Sequence, residues 1–507
     1  SITEREVLEA FSNPDDLDFD LAAAGEARQI IDLVWGAALT RFLSLSARQL
    51  GDDFISVGRV QSPTLKLIVD REREIQAFDP EDYWELFADL AKNGDAFEAQ
   101  YFYEDEDDNE AERVWDEETA AAVHEKLQAA ASATVTSVRK RTRTDASPAP
   151  FNTTAFIGAA SSLGYSAQRA MSIAEDLYTA GYVTYPRTDN TVYPDDLDPA
   201  ELLEAFEASY DFGEDAESLL ELDDLTPTEG DDETTDHPPI HPTGELPDRG
   251  DLSEAEWDVY ELIVRRFFAT VAEAATWAHL RVVAEANGCN LKANGKRLLE
   301  PGYHAVYPYA STSENVVPAV EEGETLAIAD VRIEDKETQP PRRYGQSRLI
   351  QQMEEKGLGT KSTRHHTIEK LYDRGYIEGD PPRPTQLARA VVDAAESFAD
   401  LVVSISYIGL LAIVGLLMLR DARTESSDDD GSALAEKFQS IKIPPMVSIK
   451  GGTKVSLWVT LAMAFAIGIL SGFLGVGGGF LLMPAMMYGL GVPAAVAVGT
   501  DVFQITA

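Results

Sequence analysis

The sequence contains a single cysteine and is poor in basic residues. Cys289 is the only cysteine among 507 residues. One cysteine excludes an internal disulfide and any zinc site built from several thiolates. Lysine and arginine number 42 against 88 aspartates and glutamates, so the formal net charge is −46. The chain does not begin with Met, and residues 1–20 are polar and acidic, so no signal peptide is predicted.

The negative charge is confined to the first 400 residues. They hold 36 basic against 81 acidic residues, whereas residues 401–507 hold six against seven. A domain this acidic repels itself unless salt screens its charges, and at about 1 M salt the Debye length falls to ~3 Å. The composition therefore favours a cytoplasmic, halophilic protein with the acidic composition of a salt-accumulating cell. An acidic protein from an ordinary cell is the alternative. Two acidic stretches that contain helix and strand breakers, 103–117 and 211–236, are predicted to be surface loops.

Charged residues are missing from two stretches after residue 400. These are LVVSISYIGLLAIVGLLML (401–419) and VSLWVTLAMAFAIGILSGFL (455–474). Each approaches the roughly 20 apolar residues that span a bilayer, so two transmembrane helices are predicted, with buried core helices as the alternative. The intervening loop, 420–454, holds all six basic residues of this half, which places it on the cytoplasmic side.

Two short motifs near the start of the chain carry candidate DNA contacts. In EARQIIDLVWG (26–36), Arg28 and Asp32 are four residues apart and share one helix face. An exposed ion pair is the alternative interpretation. In SVGRVQSPT (56–64), Arg59 and Gln61 lie beside a glycine turn and can approach a phosphate backbone.

The stretch GYVTYPRTDN (181–190) begins like a strand and then breaks at Pro186. Tyr185 stands just before the break, with Arg187 two residues on and Asp189 four residues on. A half-buried strand that ends in a polar turn is one interpretation, because tyrosine is common at strand ends. Taken alone, the ten residues do not exclude it.

Two neighbouring segments could contribute to the same site. VRKRTRTDASPAPFNTT (138–154) puts four basic residues into an acidic region and could bind a polyanion. A helix is predicted to follow it over 154–163. DHPPIHPTG (236–244) offers His237 and His241. The two prolines between them exclude the helix that would bring both to one metal ion, so no zinc site is predicted.

The segment 344–379 predicts a helix, a glycine turn, a second helix and a strand, a winged-helix pattern. Gly357 closes the first helix, and Ser362 or Thr363 opens the second. Free N–H groups and the helix dipole favour phosphate at such an N-terminus. The residues gathered there are Thr360, Lys361, Ser362, Thr363 and Arg364. His365 and His366 follow and are interpreted as contact or surface residues.

With these motifs in order, residues 1–400 resemble a type IA DNA topoisomerase. The motifs that carry the resemblance are EARQIID, VGRVQSPTL with DRERE, PAPFNTT, GYVTYPRTDN, DHPPIHPT and SRLIQQMEEKGLGTKSTR with LYDRGYI. The resemblance implies that Tyr185 attacks a single-strand phosphodiester to form a 5′-phosphotyrosine, with Arg187 stabilising the charge and Asp189 and His237 supporting the phosphate. Because six motifs occur in the family's order, the interpretation of Tyr185 as an ordinary strand-end tyrosine becomes remote.

The resemblance extends to DNA contacts, cofactors and partners. Arg28 with Asp32, and Arg59 with Gln61, match positions that approach DNA and the active site. The implied substrate is single-stranded or negatively supercoiled DNA, and the transesterification requires no ATP. Mg²⁺ is expected through a Toprim domain, which precedes residue 1 in the family and could act in trans. Without it, these residues are expected to bind single-stranded DNA but to relax supercoils negligibly.

The implied fold is an α+β multidomain torus with winged-helix-like parts and a β-rich arch, followed by an all-α transmembrane segment. The expected parts are a helical DNA-binding piece (1–75), the arch in two pieces (76–138 and 266–335), the catalytic tyrosine domain (139–265), a winged-helix-like DNA-binding part (336–400) and the membrane part (401–507).

The membrane part resembles a different family. GFLGVGGGFLLMPAMMYGLGVPAAVAVGTD (472–501) is similar to the glycine-rich motif of TauE/SafE-like sulfite exporters. A helix broken at residues 477–479 would leave N–H groups to meet an anion, with glycine-rich helix packing as the alternative. The chain is thus expected to be a chimera of two fragments. The alternative functions are an anion permease fragment and a single-stranded DNA-binding remnant.

Overall fold

The computed structural model describes residues 18–46, 55–92, 94–234, 237–397, 440–448, 454–462 and 464–465, together with residues 12, 416 and 486. The chain divides into two compact units, residues 1–392 and 393–507. Each unit is described separately below.

Residues 386–397 of the chain are helical, and ten further α-helices lie within the described residues of the first unit. They are α1 (Phe19–Ser46), α2 (Gln61–Ala77), α3 (Glu117–Gln128), α4 (Thr153–Ser162), α5 (Ala167–Thr179), α6 (Pro199–Phe206), α7 (Gly213–Leu220), α8 (Glu254–Val271), α9 (Gln346–Glu355) and α10 (Arg364–Asp373). Side-chain caps fix several starts: Asn152 accepts from Ala155 N, Ser166 accepts from Arg169 N, and Ser253 forms a capping box with Glu256.

The first unit also holds an antiparallel sheet drawn from two separate segments of the chain. Its strands are β1 (Asp82–Lys92), β2 (Asp95–Glu104), β3 (Glu110–Ala111), β4 (Ser132–Asp145), β5 (Ala275–Ala286), β6 (Cys289–Glu300) and β7 (Thr325–Glu337). The strand order is β1-β7-β4-β5-β6-β2-β3, and β1 also pairs with β2. Six strands therefore close into a barrel, which leaves β3 on the outside of β2.

The interior of this barrel forms one hydrophobic core. Alternate residues of β1 are buried, among them Leu86, Ala88 and Leu90, and they meet Val282 and Leu291 of the opposite strands. Helix α3 packs against β1, β6 and β7 through its own buried face. The barrel interior is therefore closely packed, and the barrel joins the two chain segments that supply its strands, 82–145 and 275–337.

A second core surrounds helix α8, which has eleven buried residues. Phe206 of α6, Phe212 and Phe268 pack edge to face within this core. The acidic stretch 211–236 is interpreted from sequence alone as a surface loop, and that interpretation is wrong for residues 213–220. They form α7, whose Ala216 and Leu219 are buried against this aromatic cluster.

The predicted helix, turn, helix and strand over 344–379 are confirmed. Helix α9 ends before Gly357, which adopts φ +63°, and α10 begins after Thr363. The short strands β8 (Ile377–Glu378) and β9 (Arg383–Pro384) then pair antiparallel. Helix α10 packs against α2, α5 and α9.

In the second unit, the described residues show a small hairpin of β10 (Met446–Ser448) and β11 (Lys454–Ser456). Three parts of the predicted membrane half lie outside the described residues. They are the span 401–419 apart from residue 416, residues 463 and 466–474 of the span 455–474, and the glycine-rich residues 477–479. Within the part that is described, no helix combines the length and the apolar character needed to cross a bilayer.

Candidate active site

Tyr185 lies on a segment that is held by hydrogen bonds to residues 239–242. The Thr184 backbone N–H donates to the His241 carbonyl at 2.9 Å, and the Thr184 hydroxyl donates to the Pro239 carbonyl at 2.8 Å. Val183 forms a single bridge with Pro242 and no longer strand, so the strand suggested by the sequence is reduced to one pair. The two loops are thereby fixed side by side.

The turn that follows Tyr185 is clamped by Thr153 at the start of α4. The buried Thr153 hydroxyl donates to the Pro186 carbonyl at 2.8 Å and accepts from the Thr188 N–H at 2.9 Å. The Thr153 N–H donates to the Thr188 carbonyl at 2.9 Å. Because all these groups are buried, the clamp fixes the direction in which Tyr185 and Arg187 leave the backbone.

The Tyr185 ring is half-buried between two other rings. Its centroid lies 4.7 Å from that of His237 and 5.2 Å from that of Tyr178 on α5, both in edge-to-face geometry. The His237 carbonyl also accepts a hydrogen bond from the Thr188 hydroxyl at 3.1 Å. The structure therefore brings together the predicted nucleophile and the predicted histidine, although 52 positions separate them in the sequence.

Arg187 is held by Glu175, a residue that the sequence analysis did not single out. Its Nε donates to Glu175 Oε1 at 2.8 Å and its Nη2 at 2.5 Å, and Nη1 reaches the Ser362 carbonyl at 3.5 Å. The Arg187 side chain is 21% exposed. Glu175 and Tyr178 are three residues apart and lie on the same face of α5. This spacing was the one signal in the sequence that could have placed Glu175 near the site.

Lys361 reaches the same site from the N-terminal turn of α10. Its Nζ lies 3.6 Å from Asp189 Oδ2, and the lysine side chain is 17% exposed. Together with the contact between Arg187 and Ser362, this ion pair joins the turn 360–363 to the tyrosine segment. Two of the predicted phosphate-binding residues therefore lie beside the predicted catalytic ones.

The other residues of the α10 N-terminus have mixed roles. Thr360 and Thr363 bond to each other, with the Thr360 N–H donating to Thr363 Oγ1 at 2.9 Å. Arg364 is buried, and its Nη1 donates to Glu354 at 2.7 Å. In this structure Arg364 therefore stabilises the turn between α9 and α10. His366 is exposed, whereas His365 is only 2% exposed and is therefore not a surface residue.

The two predicted contacts near the start of the chain form a neighbouring cluster. Arg59 binds Asp32 through Nε and, at 3.1 Å, through Nη2, and Arg28 lies 4.0 Å from the same carboxylate. Gln61 donates to the Ser56 carbonyl at 3.4 Å. All of these side chains except Gln61 are exposed.

This cluster is connected to the turn before α10, where the backbone of Gly359 lies close to the Val60 side chain. Gly359 has φ +71°, and a Cβ at this position would lie 3.2 Å from Val60. Since Val60 separates Arg59 from Gln61, the two turns meet there. The predicted DNA-binding residues thus lie on turns that continue from one to the next.

His241, the second histidine of its loop, is a structural residue. It is buried, its Nδ1 lies 2.8 Å from the Pro242 carbonyl, and burial lowers its pKa to about 4. Its imidazole is therefore neutral at physiological pH. Among the residues that the structure describes, no group of three or more His, Cys, Asp or Glu side chains could hold a metal ion.

Comparisons with known proteins divide the chain near residue 400. Residues 16–407 match the family model described as DNA topoisomerase, and residues 390–507 match that of the sulfite exporter TauE/SafE.

The sequence is similar to DNA topoisomerase 1 of Archaeoglobus fulgidus, with 46% identity over 79% of this chain and 58% of the relative. DNA topoisomerase 1 of Thermoplasma acidophilum is 40% identical over 78% of this chain and 50% of the relative. The chain therefore spans only about half to three-fifths of these relatives. The fold is similar to that of full-length topoisomerase I from Thermotoga maritima, with a TM-score of 0.62 and 28% identity over 78% of this chain and 64% of that one.

Proposed function

Because the chain belongs to the DNA topoisomerase family, we propose that residues 1–400 cleave and rejoin one strand of DNA through Tyr185 and so relax negative supercoils. The observation that carries this proposal is the half-buried Tyr185 ring beside His237, with Arg187 and Lys361 arriving at the same place from different elements.

The reaction is a transesterification that Tyr185 begins. Its hydroxyl oxygen attacks the phosphorus and loses its proton, an O–P bond forms, and the bond to the 3′-oxygen breaks. The departing oxygen takes up a proton and becomes a 3′-hydroxyl, while the DNA 5′ end stays on the tyrosine. One ester replaces another, so resealing is the reverse reaction and no ATP is consumed. A free phenol ionises near pKa 10, so a nearby cation or proton acceptor is required at neutral pH.

Arg187 supplies the positive charge for this step. Its guanidinium is paired with Glu175, so a phosphate must compete with that carboxylate. Once the phosphate is bound to Arg187, the guanidinium stabilises the negative charge that builds on the phosphoryl oxygens. Glu175 is then a positioning residue that holds Arg187 ready, and His237 and Asp189 support the phosphate from the other side.

The single strand would be held along the connected turns. Lys361, at the α10 N-terminus, binds the phosphate next to the cleaved one. Arg28 and Arg59 continue the positive edge, with Asp32 setting their orientation. This local basic path overcomes the acidity of the rest of the chain because binding depends on the field at the site.

The magnesium that the family requires does not fit the described residues, since they contain no candidate cluster of ligands. We propose that a Toprim domain supplies the metal site, either from further sequence or in trans. Helix α1 supports this proposal, because Ile30, Leu33 and Val34 on it are 56%, 73% and 64% exposed. An apolar helix face of this kind is usually covered by another body.

Covalent trapping tests the proposal. The protein is incubated with 3′-end-labelled single-stranded DNA and Mg²⁺, with and without a separately expressed Toprim domain, and stopped with detergent. We expect a labelled protein band in the Toprim arm that Tyr185→Phe abolishes and that the fully exposed Tyr210→Phe retains. Efficient supercoil relaxation without Toprim would refute the requirement for it. A DNA-binding remnant would shift the DNA without forming any adduct.

A second function is favoured for residues 390–507 by their match to the sulfite exporter family. We propose that this part lies in the membrane, with 420–454 facing the cytoplasm and the rest of the chain in the cytoplasm. Anion flux into proteoliposomes containing the full chain tests it, and Tyr185→Phe should leave that flux unchanged.

A further inference from the structure

The basic segment of the sequence forms the second half of strand β4, residues 138–145. Four exposed basic residues lie on it, namely Arg139, Lys140, Arg141 and Arg143. None of the four is in an ion pair among the described residues, whereas the neighbouring Arg281 on β5 pairs with Glu110. Cations that stay unpaired in so acidic a chain are available to an anionic partner.

One backbone edge of this half-strand has no neighbouring strand among the described residues. Strand β5 pairs with β4 over 134–145, whereas on the other side β7 pairs only with 132–134. The Val138 N–H turns to that other side, where it donates to Glu322 Oε1 at 3.1 Å. Backbone groups of alternate residues point to the same side of a strand. The residues that turn their N–H and C=O groups outward with Val138 are therefore Lys140, Thr142 and Thr144.

This free edge is suited to an acidic polypeptide. Exposed N–H and C=O groups in a row can pair with an added strand, although charged side chains on an edge also discourage pairing. Two copies of this edge would bring like charges opposite each other, which disfavours self-association. The outward carbonyls need hydrogen-bond donors, and a polypeptide backbone supplies an N–H at each residue other than proline, whereas a phosphodiester backbone supplies none. A peptide that carries carboxylates satisfies both the edge and its cations.

An apolar cavity of about 470 Å³ adjoins the same edge. Lys140 and Thr142 of β4 contribute to its lining, together with Leu280, Leu299 and Val316. Leu299 is 52% exposed and Val316 is 69% exposed. An apolar side chain of an added strand can therefore be buried beside the basic residues.

We propose that residues 138–145 are a docking site for an extended acidic segment of a partner protein, which adds to the free edge of β4 as a further strand. The N–H groups of that segment donate to the outward carbonyls of β4. Its carboxylates pair with Lys140 and the neighbouring arginines, and an apolar side chain enters the adjoining cavity. The inference does not depend on DNA cleavage, because no residue of the Tyr185 site takes part.

Binding of a labelled acidic octapeptide, (Glu-Val)4, to the full chain tests the inference, with dissociation constants measured by fluorescence anisotropy at one pH and salt concentration. We expect Lys140→Glu to weaken binding by about fivefold or more, because an attractive cross-strand charge pair becomes repulsive. Lys126→Glu makes the same change of charge on the exposed side of α3 and should leave the affinity within about twofold.

Two further measurements separate strand addition from simple charge attraction. Methylation of every backbone nitrogen of the octapeptide keeps its carboxylates but removes its N–H donors, so this form should bind far more weakly. Thr142→Pro removes one outward N–H, a loss that an edge strand tolerates. It should weaken binding of the unmodified octapeptide without lowering the melting temperature of the protein.

Several results would overturn the proposal. The docking site is excluded if the octapeptide does not bind, or if it binds the Lys140→Glu and Lys126→Glu variants equally well. Equal binding of the octapeptide and its methylated form would show attraction by charge alone and exclude strand addition. If dT14 displaces the octapeptide and Lys140→Glu weakens both ligands equally, the surface binds nucleic acid and the partner protein is excluded.

Discussion

Replacing Thr153 by valine should destabilise the turn that presents Tyr185 and Arg187. Valine keeps the shape but lacks the hydroxyl, so the Thr188 N–H and the Pro186 carbonyl lose their 2.9 Å and 2.8 Å partners. The Thr153 N–H keeps its bond to the Thr188 carbonyl, so the turn stays tethered at one point. Each orphaned buried group costs about 1–3 kcal/mol, so the two groups together cost about 2–6 kcal/mol.

The assay is thermal unfolding of the full chain at fixed salt, together with covalent trapping on DNA. In a unit this large, a loss of about 2–6 kcal/mol lowers the melting temperature by roughly 2–8 °C. Thr136→Val is the matched control, because its hydroxyl donates to a carbonyl at 3.2 Å in an exposed position. If Thr153→Val melts within about 1 °C of that control, the clamp does not hold the turn and the reasoning is wrong.

Four further outcomes are expected. Lys361→Ala should weaken single-stranded DNA binding and reduce the slope of log K against log salt by about 0.7, the value for one lost phosphate contact. Glu175→Gln should strengthen that binding several-fold, because it removes the anion that competes for Arg187. Stability should fall as pH drops from about 6.5 towards 4, because burial lowers the pKa of His365 and the unfolded chain takes up the proton first. His365→Gln should reduce this fall. The melting temperature should rise between 0.1 M and 2 M KCl, because salt screens a net charge of −46.

Each of these expectations has a control and a contrary result. Lys126→Ala, on the exposed side of α3, should leave the salt slope of DNA binding unchanged. If Lys126→Ala reduces the slope as much as Lys361→Ala does, Lys361 does not contact the DNA specifically. Glu201→Gln should not raise affinity; if it does, the effect of Glu175→Gln is one of general charge. The exposed His366→Gln should leave the pH profile intact, and a melting temperature that falls with salt would contradict the electrostatic account.

The elements that depend on local sequence were predictable. Helix α4 over Thr153–Ser162 matches the predicted helix 154–163 to within one residue, since Asn152 caps it. The two helices around Gly357 were predictable for the same reason, because a glycine at φ +63° and a polar N-terminus mark their ends locally.

The features that depend on distant pairing were not predictable. The closure of the barrel requires β1 to pair with both β7 and β2, and no periodicity in either strand specifies its second neighbour. The helix α7 was missed because its acidic exposed side outweighs Ala216 and Leu219, whose burial depends on the aromatic core around α8.

The residues of the candidate site also fall into two groups, those with a local sequence signal and those that depend on contacts between distant elements. Tyr185 and Arg187 were predicted from a single motif, and Lys361 was predicted from its place at a helix N-terminus. Glu175 and Thr153 were missed because each acts on the motif from another element, at 12 and 33–35 residues' separation. A carboxylate on a helix or a threonine at its start has many ordinary uses, so only the geometry identifies these two as positioning residues.

The central claim is that Tyr185 carries the DNA. The trapped adduct would be digested with nuclease and trypsin, and the peptide 170–187 would be sequenced by tandem mass spectrometry. This peptide contains three tyrosines, Tyr178, Tyr182 and Tyr185, and ends at Arg187. The account predicts a nucleotide attached through its 5′-phosphate to Tyr185 alone. A nucleotide on Tyr178 or Tyr182, or an adduct formed with this peptide unmodified, would contradict it.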